Sequence, residues 1–391
     1  MDLTLTDEQE MIRATARKLL RDQAATAGVR AVRDGPGDGY CHRLWQQMAD
    51  LGWTGLAVPE RHGGLGSGFL ESCLLAEELG AALVPSPFLV TTACAGTAIE
   101  LFGTDEQRAV WLPAIVAGRP VTAATTSRIA AVRSADGFTL TGTATFVPFA
   151  EAAEAVIVAA HADTGPSVFL LDTAHTDAVD ITALRAVGPV PLYRLRLEDV
   201  AVPADAVLGR IDRGHEVIDA LERRGAAATC AEMVGGAQRV LDLTLAYATE
   251  RRQFGRPIGS FQAVQHHCAD MAVDVLSARL IAYEAIWRLA DARDGGPGGS
   301  HPEPSDVALP VSCAKAWVSE AYQRVCALGH QVHGAIGFTA EHDLHLYLQH
   351  SMSAALAFGD TETHTRRVAD RLGLPRHGGH PHHTYGQEFH Q

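Results

Sequence analysis

The sequence has no apolar run approaching the roughly 20 residues needed to cross a bilayer. Its N-terminus, MDLTLTDEQE, is acidic where a signal peptide would carry a basic start and an apolar core. Basic residues are in deficit. The 32 Lys plus Arg stand against 46 Asp plus Glu, and the net charge of −14 repels nucleic acid and anionic membranes alike. There is no C-x-x-C pair. Seven cysteines lie scattered at positions 41, 73, 94, 230, 268, 313 and 326, an odd and unclustered set that reads as reduced thiols packed in a cytoplasmic protein. No serine sits in a nucleophile elbow, so no Ser-His-Asp triad is expected. The glycine-rich stretch from His62 to Gly68 lacks a preceding strand and a G-x-G-x-x-G register, and is expected to be a flexible loop rather than a nucleotide cradle.

What is present is a long, apolar chain: 391 residues, 47% hydrophobic, enough for two or three domains. Residues 1–119 read as a helical domain. Thr6 with Gln9 and Thr104 with Gln107 match the capping-box spacing, and Gly52, Gly80, Gly103 and Gly118 fall where helix C-caps belong. Residues 120–208 read as a β domain, a small barrel or sandwich. The alternation from Phe138 to Phe146 after an Ala135-Asp136-Gly137 turn signals a hairpin, and short strand-like runs follow at Ala155–Ala160, Ser167–Leu171 and Tyr193–Leu197. Residues 209–373 return to a helical period. Met271, Val275, Ala278, Ala282, Ile286 and Leu289 form one apolar face, as in a four-helix bundle. Asp294 to Ser300 reads as a loop between long helices, and the His-rich residues 374–391 as a disordered tail.

Two further residue types invite a function. Nineteen histidines suggest a metal, but no Cys or carboxylate set completes a ligand spacing around His330, His333, His342 or His345, although the last two could share a helix face, and none is expected. His266 and His267 read as a helix flank, and the five tryptophans, Trp45, Trp53, Trp111, Trp287 and Trp317, as packing residues.

The run ERRQFGRPIGSF, Glu250 to Phe261, interrupts this helical text. Arg251 and Arg252 end an amphipathic segment, Gly255 and Pro257 stop it, and Gln262 opens the next helix. Guanidinium groups beside a glycine turn and a helix start suit a pyrophosphate, because the fork matches phosphate oxygens and the helix adds free N–H groups. An ordinary helix end with cations in its last turn has the same residues, so the run alone decides nothing.

A helical domain, a small β domain and a bundle interrupted by R-x-Q-F-G closely resemble the acyl-CoA dehydrogenase family, over nearly the whole chain to about residue 372. YATERRQFGRPIGSFQ (Tyr247 to Gln262) and QVHGAIGFTAEHDLHLY (Gln331 to Tyr347) carry the likeness. The resemblance implies FAD at a subunit interface, with the neighbouring subunit's R-x-x-F-G segment and Q-x-x-G-G-x-G turn holding the ADP half. Arg251 would then pair with the pyrophosphate and Phe254 would pack near the adenosine. Gln262 and Gln331 would hydrogen-bond the same half, while Gln253, His333, Gly334, Ala335 and Thr361 fall within the same motifs. Gly334 and Gly337 would let the backbone approach closely, and Ala335 replaces a usual glycine. The implied reaction removes two hydrogens from an acyl-CoA: a carboxylate takes the α proton as hydride leaves the β carbon for the flavin. An electron-accepting flavoprotein would follow.

Three family segments at the flavin ring are damaged. T-E-P-G-x-G-S-D corresponds to Thr122-Ala123-Ala124-Thr125-Thr126-Ser127-Arg128, shortened and without acids; W-I-T-N corresponds to Phe146-Val147-Pro148-Phe149. The E-G-T turn that carries the usual base reads Gly359-Asp360-Thr361, and the alternative base position on the first bundle helix is Gly225. Asp360, Glu362 and Glu222 are nearby carboxylates, each expected to be a solvated surface acid before it is a base. Intact ADP-side motifs with degenerate ring-side motifs resemble the non-catalytic partner subunit of a heteromeric acyl-CoA dehydrogenase. Three rivals stand beside it: a self-sufficient homo-oligomer with a relocated base, a flavin-dependent monooxygenase on the same fold, and a structural subunit that binds no FAD.

Overall fold

The computed structural model describes residues 4–23, 30, 37–162, 165–173, 179–291 and 304–374. The protein is mainly helical around one central sheet. The expected loop at Asp294–Ser300 and the tail beyond Leu374 lie outside the described residues.

The N-terminal third consists of α1 (Asp7–Gln23), α2 (His42–Asp50), α3 (Phe69–Ala82), a π-helical turn (Leu89–Gly96), α4 (Thr97–Phe102) and α5 (Asp105–Val116). Both capping boxes form: Thr6 N–H donates to Gln9 Oε1 at 3.0 Å and Gln9 N–H to Thr6 Oγ1 at 3.3 Å, and Thr104 and Gln107 bond reciprocally in the same way. Two expectations for glycines are corrected. The stretch His62–Gly68 is not a loose loop, since Leu65, Gly66 and Ser67 donate backbone bonds to Gly55, Val58 and Leu56. Gly80 is not a cap but lies inside α3, where a Cβ would stand 2.0 Å from the Glu232 carbonyl oxygen; Leu83, with φ of 52°, ends that helix.

The sheet holds β1 (Val121–Ala124), β2 (Ser127–Arg133), β3 (Gly137–Pro148), β4 (Ala155–Ala162), β5 (Gly165–Asp172), β6 (Val179–Leu184) and β7 (Leu192–Pro203). Its order is β1-β4-β2-β3-β7-β6, with β5 on the free side of β4. The expected hairpin is the antiparallel β2–β3 pair, whereas β1 runs parallel to β4. Alternation along β4 and β5 divides two cores. Ala155, Ile157, Val168 and Leu170 face the helices, while Val156, Val158, Phe169 and Leu171 face a second cluster with Phe138, Leu140 and Leu195. The short strands β1 and β6 were not among the expected runs, because neither alternates over enough residues to declare a face.

The C-terminal half is α6 (Gly214–Glu250), a small hairpin of β8 (Arg252–Gln253) and β9 (Arg256–Pro257), α7 (Gln262–Asp291), α8 (Pro304–His333), α9 (Leu344–Leu356) and α10 (Thr361–Arg371). All six apolar positions named on α7 are buried. The tryptophan expectation needs correcting: Trp45 and Trp53 are buried, but Trp287 and Trp317 are 42% and 40% exposed. Trp317 is held instead by polar contacts, its indole N–H donating to Ser277 Oγ at 3.1 Å under the Arg324 guanidinium.

Consecutive glycines bring these helices together. A Cβ on Gly235 would lie 1.8 Å from the Glu77 carbonyl oxygen on α3, and one on Gly236 would lie 2.3 Å from the Tyr322 hydroxyl on α8. Gly235→Ala is therefore expected to force α3 and α6 apart and lower stability by about 1–3 kcal/mol. Urea denaturation of the purified chain measures this, and an unchanged midpoint would mean that the crossing can relax.

Candidate functional site

The two motif segments meet in space. Tyr247, one turn before the end of α6, stacks on His333 in the last turn of α8, with ring centroids 4.4 Å apart and an interplanar angle of 20°. Beyond Tyr247 the chain turns back sharply. Arg252 pairs with Pro257 and Gln253 with Arg256 across a two-residue turn, Phe254-Gly255, at φ of 54° and 79°. Two successive positive φ values make the tight turn that suits a two-stranded ribbon, and glycine supplies the second without strain. The turn holds Phe254 out at 91% exposure. Phe261 braces the ribbon, edge-on to Phe254 at 6.0 Å and beneath the Arg256 guanidinium at 4.1 Å. Arg251, Arg252, Gln253 and Gln262 are all exposed around it.

The facing turn is a 3-10 helix, Gly334–Phe338. Gln331, Gly334 and Ala335 are exposed beside Ile336 and Phe338 at 45% and 68% exposure. Gly334 takes φ of 65° with open space where a Cβ would be, so its backbone conformation is what demands glycine. At Gly337 the crowding comes from within the chain, because a Cβ would meet His333 Cβ at 3.2 Å and Leu344 Cδ2 at 3.3 Å. His333 is buried, its Nδ1–H donates to the Gly329 carbonyl at 2.8 Å, and its Nε2 has no partner among the described residues. His342 lies in the turn before α9, not on a common helix face with His345, because α9 begins only at Leu344; its ring packs edge-on against His333 at 4.8 Å. Among the described residues no three His, Cys, Asp or Glu side chains form a cluster able to hold a metal ion. Of the other pair, His266 is exposed and His267 half-buried on α7. Guanidinium groups and an exposed aromatic on one surface fit the ADP half of a dinucleotide, with cations for phosphate and a ring for stacking, whereas His333, expected within the same motif, is buried between Tyr247 and His342.

The opposite end of the bundle is arranged differently. Only Thr125 and Thr126 join β1 to β2, and the Thr122 hydroxyl donates to the Pro148 carbonyl at 2.5 Å. Phe146 is 67% exposed at φ of 60°, and Phe149 is buried. Gly225 packs against the face of Phe358, whose ring atoms lie 2.3–2.5 Å from where a Cβ would be. Gly359, at φ of 100°, would place a Cβ 2.9 Å from His364 Nε2. Neither position has room for a glutamate in this backbone. Among the described residues, the two positions where the family resemblance put a base are both glycines with side chains packed against them.

The three candidate carboxylates are all engaged. Asp360 caps α10, accepting from the Thr363 N–H at 2.8 Å, and hydrogen bonds from the Thr363 hydroxyl and then its N–H hold the carboxyl below the usual carboxylate range, which weakens it as a base. Glu362 pairs with Arg366 at 2.6 Å on the surface, and Glu222 with Arg367 at 2.7 Å. Thr361 opens α10 behind the Asp360 cap.

Two groups that sequence reasoning missed fix this turn. Lys315 is fully buried on α8 and donates to the carbonyls of Ala355 and Gly359 at 2.8 and 3.0 Å, and burial pushes its ammonium down to about 8. His364 donates from Nε2 to the Phe358 carbonyl at 3.0 Å, with Nδ1 at 3.3 Å from Ser312 Oγ. A signal was available, since Lys18 and Lys315 are the only lysines in the chain and Lys315 falls in the apolar run Cys313-Ala314-Lys315-Ala316-Trp317.

Burial pushes His364 down to about 4, against the opposing Phe358 hydrogen bond. A histidine with a depressed folded-state pKa binds its proton more readily when unfolded, so stability falls as pH drops from about 6.5 through about 4. Over that window the loss attributable to His364 is on the order of 3 kcal/mol. His364→Gln is expected to flatten the pH dependence of the denaturation midpoint there, and an unchanged slope would place the titration elsewhere.

Known proteins resemble this chain over nearly its whole length. Models of the acyl-CoA dehydrogenase N-terminal domain and C-terminal domain match residues 6–119 and 212–373. Acyl-CoA dehydrogenase FadE27 of Mycobacterium tuberculosis is 33% identical over 85% of this chain and 88% of its own length. Acyl-CoA dehydrogenase IpdE2 of Mycolicibacterium smegmatis is 31% identical over 93% and 98%. Among solved structures, the ChsE4-ChsE5 complex from Mycobacterium tuberculosis contains a chain superposing with a TM-score of 0.87 at 30% identity, covering 96% of this chain and 100% of that one. A variant of the Tcur3481-Tcur3483 steroid ACAD gives 0.83 at 29% identity, covering 95% and 99%. By sequence and by fold, the chain belongs to the acyl-CoA dehydrogenase family.

Proposed function

We propose that this chain is the non-catalytic half of a hetero-oligomeric acyl-CoA dehydrogenase, gripping the ADP moiety of an FAD whose ring lies in a partner subunit. The observation that carries the reading is the closure of both base positions: Phe358 fills the space beside Gly225, and His364 crowds Gly359. FAD, when bound, supplies the hydride acceptor for α,β-dehydrogenation of an acyl-CoA. The chain's own part is positional. Arg251 would hold the pyrophosphate, exposed Phe254 would pack near the adenosine, and Gln262 and Gln331 would supply hydrogen bonds to the same half. Paired names among the solved relatives, ChsE4-ChsE5 and Tcur3481-Tcur3483, support a partner of the same family. The steroid description of the second suggests a bulky polycyclic thioester as substrate.

A single-turnover assay on the chain purified alone is expected to show neither yellow colour nor acyl-CoA oxidation, with both present after co-expression with the related subunit. In the assembled enzyme, Arg251→Ala is expected to lower flavin occupancy, weakening it by about tenfold or more per lost charge-assisted contact. Flavin binding and turnover by the isolated chain would overturn the reading.

A further inference from the structure

The chain is anionic as a whole, with 32 basic against 46 acidic residues, yet one groove on its surface reverses the sign. It opens between α1, α3, α6 and α7, has a volume of about 820 Å³, and gathers five guanidinium groups against three carboxylates. Arg13, Arg17 and Arg21 stand four residues apart on α1 and so share a face. Arg239 and Arg279 come from α6 and α7. Three of the five are committed. Arg17 meets Glu78 through two bonds, at 2.6 and 3.0 Å, Arg279 meets Glu77 at 2.5 Å, and Arg13 bonds Glu10 on its own helix at 2.8 Å. Arg21 and Arg239 are exposed, and neither has a carboxylate partner among the described residues. Asp242, the remaining acid, is exposed one turn beyond Arg239, and one of its oxygens takes the Gln238 amide at 2.9 Å.

Arg239 is also held in place. The Tyr347 hydroxyl gives its proton to the Ala81 carbonyl at 2.7 Å, which leaves the phenol oxygen to accept from Arg239. A neutral oxygen orients the guanidinium without cancelling its charge, and the other N–H groups of the fork stay available. Leu20, Ala81 and Ala82 form an apolar wall in the same groove.

We propose that this groove is a receptor for a phosphoryl dianion, taken between the Arg21 and Arg239 forks, with the organic part of a small phosphate ester on the wall formed by Leu20 and Ala82. Planar forks match phosphate oxygens in a bidentate way, and two of them from different helices suit a doubly charged group. The volume falls within the roughly 300–1,000 Å³ of ordinary small-ligand pockets. Asp242 opposes the bound anion, which gives the site a signature that nonspecific attraction lacks. A ligand bridging α1 and α6 ties the N-terminal helix to the bundle, so binding stabilises the fold. Free phosphate and a phosphate ester carry the same group, and the test separates them. None of the groove's residues lies in the ribbon around Phe254, so the site does not depend on the dinucleotide grip.

Calorimetric titration of the purified chain at fixed ionic strength with ribose 5-phosphate, inorganic phosphate and ribose tests this. Both phosphates are expected to bind and ribose not to, with ribose 5-phosphate raising the melting temperature. Arg21→Gln and Arg239→Gln are each expected to weaken ribose 5-phosphate about tenfold or more, whereas Asp242→Asn is expected to tighten it. Tighter binding of ribose 5-phosphate than of inorganic phosphate would identify an ester as the source, and equal binding would identify free phosphate; both keep the receptor. Arg21 has no side-chain bond among the described residues, so Arg21→Gln separates charge from folding even if Arg239→Gln loses its bond to Tyr347 and melts lower. Binding of neither phosphate, or of ribose as tightly as its phosphate, would overturn the proposal. So would undiminished affinity in Arg21→Gln or an affinity in Asp242→Asn no higher than the parent's. Phosphate binding lost in Arg251→Ala but kept in Arg21→Gln would place the anion at the ribbon and overturn it as well.

Discussion

Close approach of α3 to α6 is the constraint on which the rest of the molecule depends. Gly80 and Gly235 remove the side chains that would hold the two backbones apart, and the Glu77 carbonyl sits in the notch at Gly235. The Glu77 side chain then turns to α7, where it accepts from Arg279 and from the Tyr283 hydroxyl, both at 2.5 Å. A buried carboxylate is tolerated only when paired and hydrogen-bonded, and here one residue satisfies that need while tying three helices. Gly236 extends the arrangement to α8 by receiving Tyr322, whose hydroxyl lies 3.2 Å from His350 Nδ1. With α6 fixed in this way, the ribbon beyond its C-terminus and the packing of Gly225 on Phe358 are held in place.

At the C-terminal end of α6 the chain is open and charged; near the Arg224 and Gly225 step it is closed. The contrast is physical. Around Phe254 the positive-φ turn holds an aromatic ring out at 91% exposure, braced edge-on by Phe261 and beside exposed Arg251 and Arg252. Around Phe358 and Gly359, two further positive-φ residues fold a side chain inward, and buried Lys315 and His364 hold their carbonyls. An exposed aromatic turn and a tightly packed glycine turn therefore coexist in one chain.

Much of this was legible in sequence. The ADP-side segments could be read because their chemistry is local: R-x-Q-F-G carries its own turn, and the glycines of the facing motif carry their own backbone demands. Capping boxes at Thr6 and Thr104 were readable for the same reason, since both partners lie three residues apart. The expectation that Gly80 caps a helix failed because glycine serves both free φ and close approach, and only the neighbouring helix distinguishes them. Trp287 and Trp317 were assigned to packing by their apolar bodies, whereas their exposure depends on which bundle faces remain uncovered.

By itself the sequence determined much of the helical and strand periods, the family, the segments expected to face a dinucleotide and the absence of glutamate from both expected base positions. These follow from residue type and short-range spacing. Only the tertiary structure decided that those positions are filled rather than merely vacant of acid. It also showed that Asp360 is committed to a helix cap, that Lys315 and His364 hold the turn, and that Arg21 and Arg239 line one groove. Each of these depends on which atoms converge from segments tens to hundreds of residues apart, and burial and pairing are properties of that convergence.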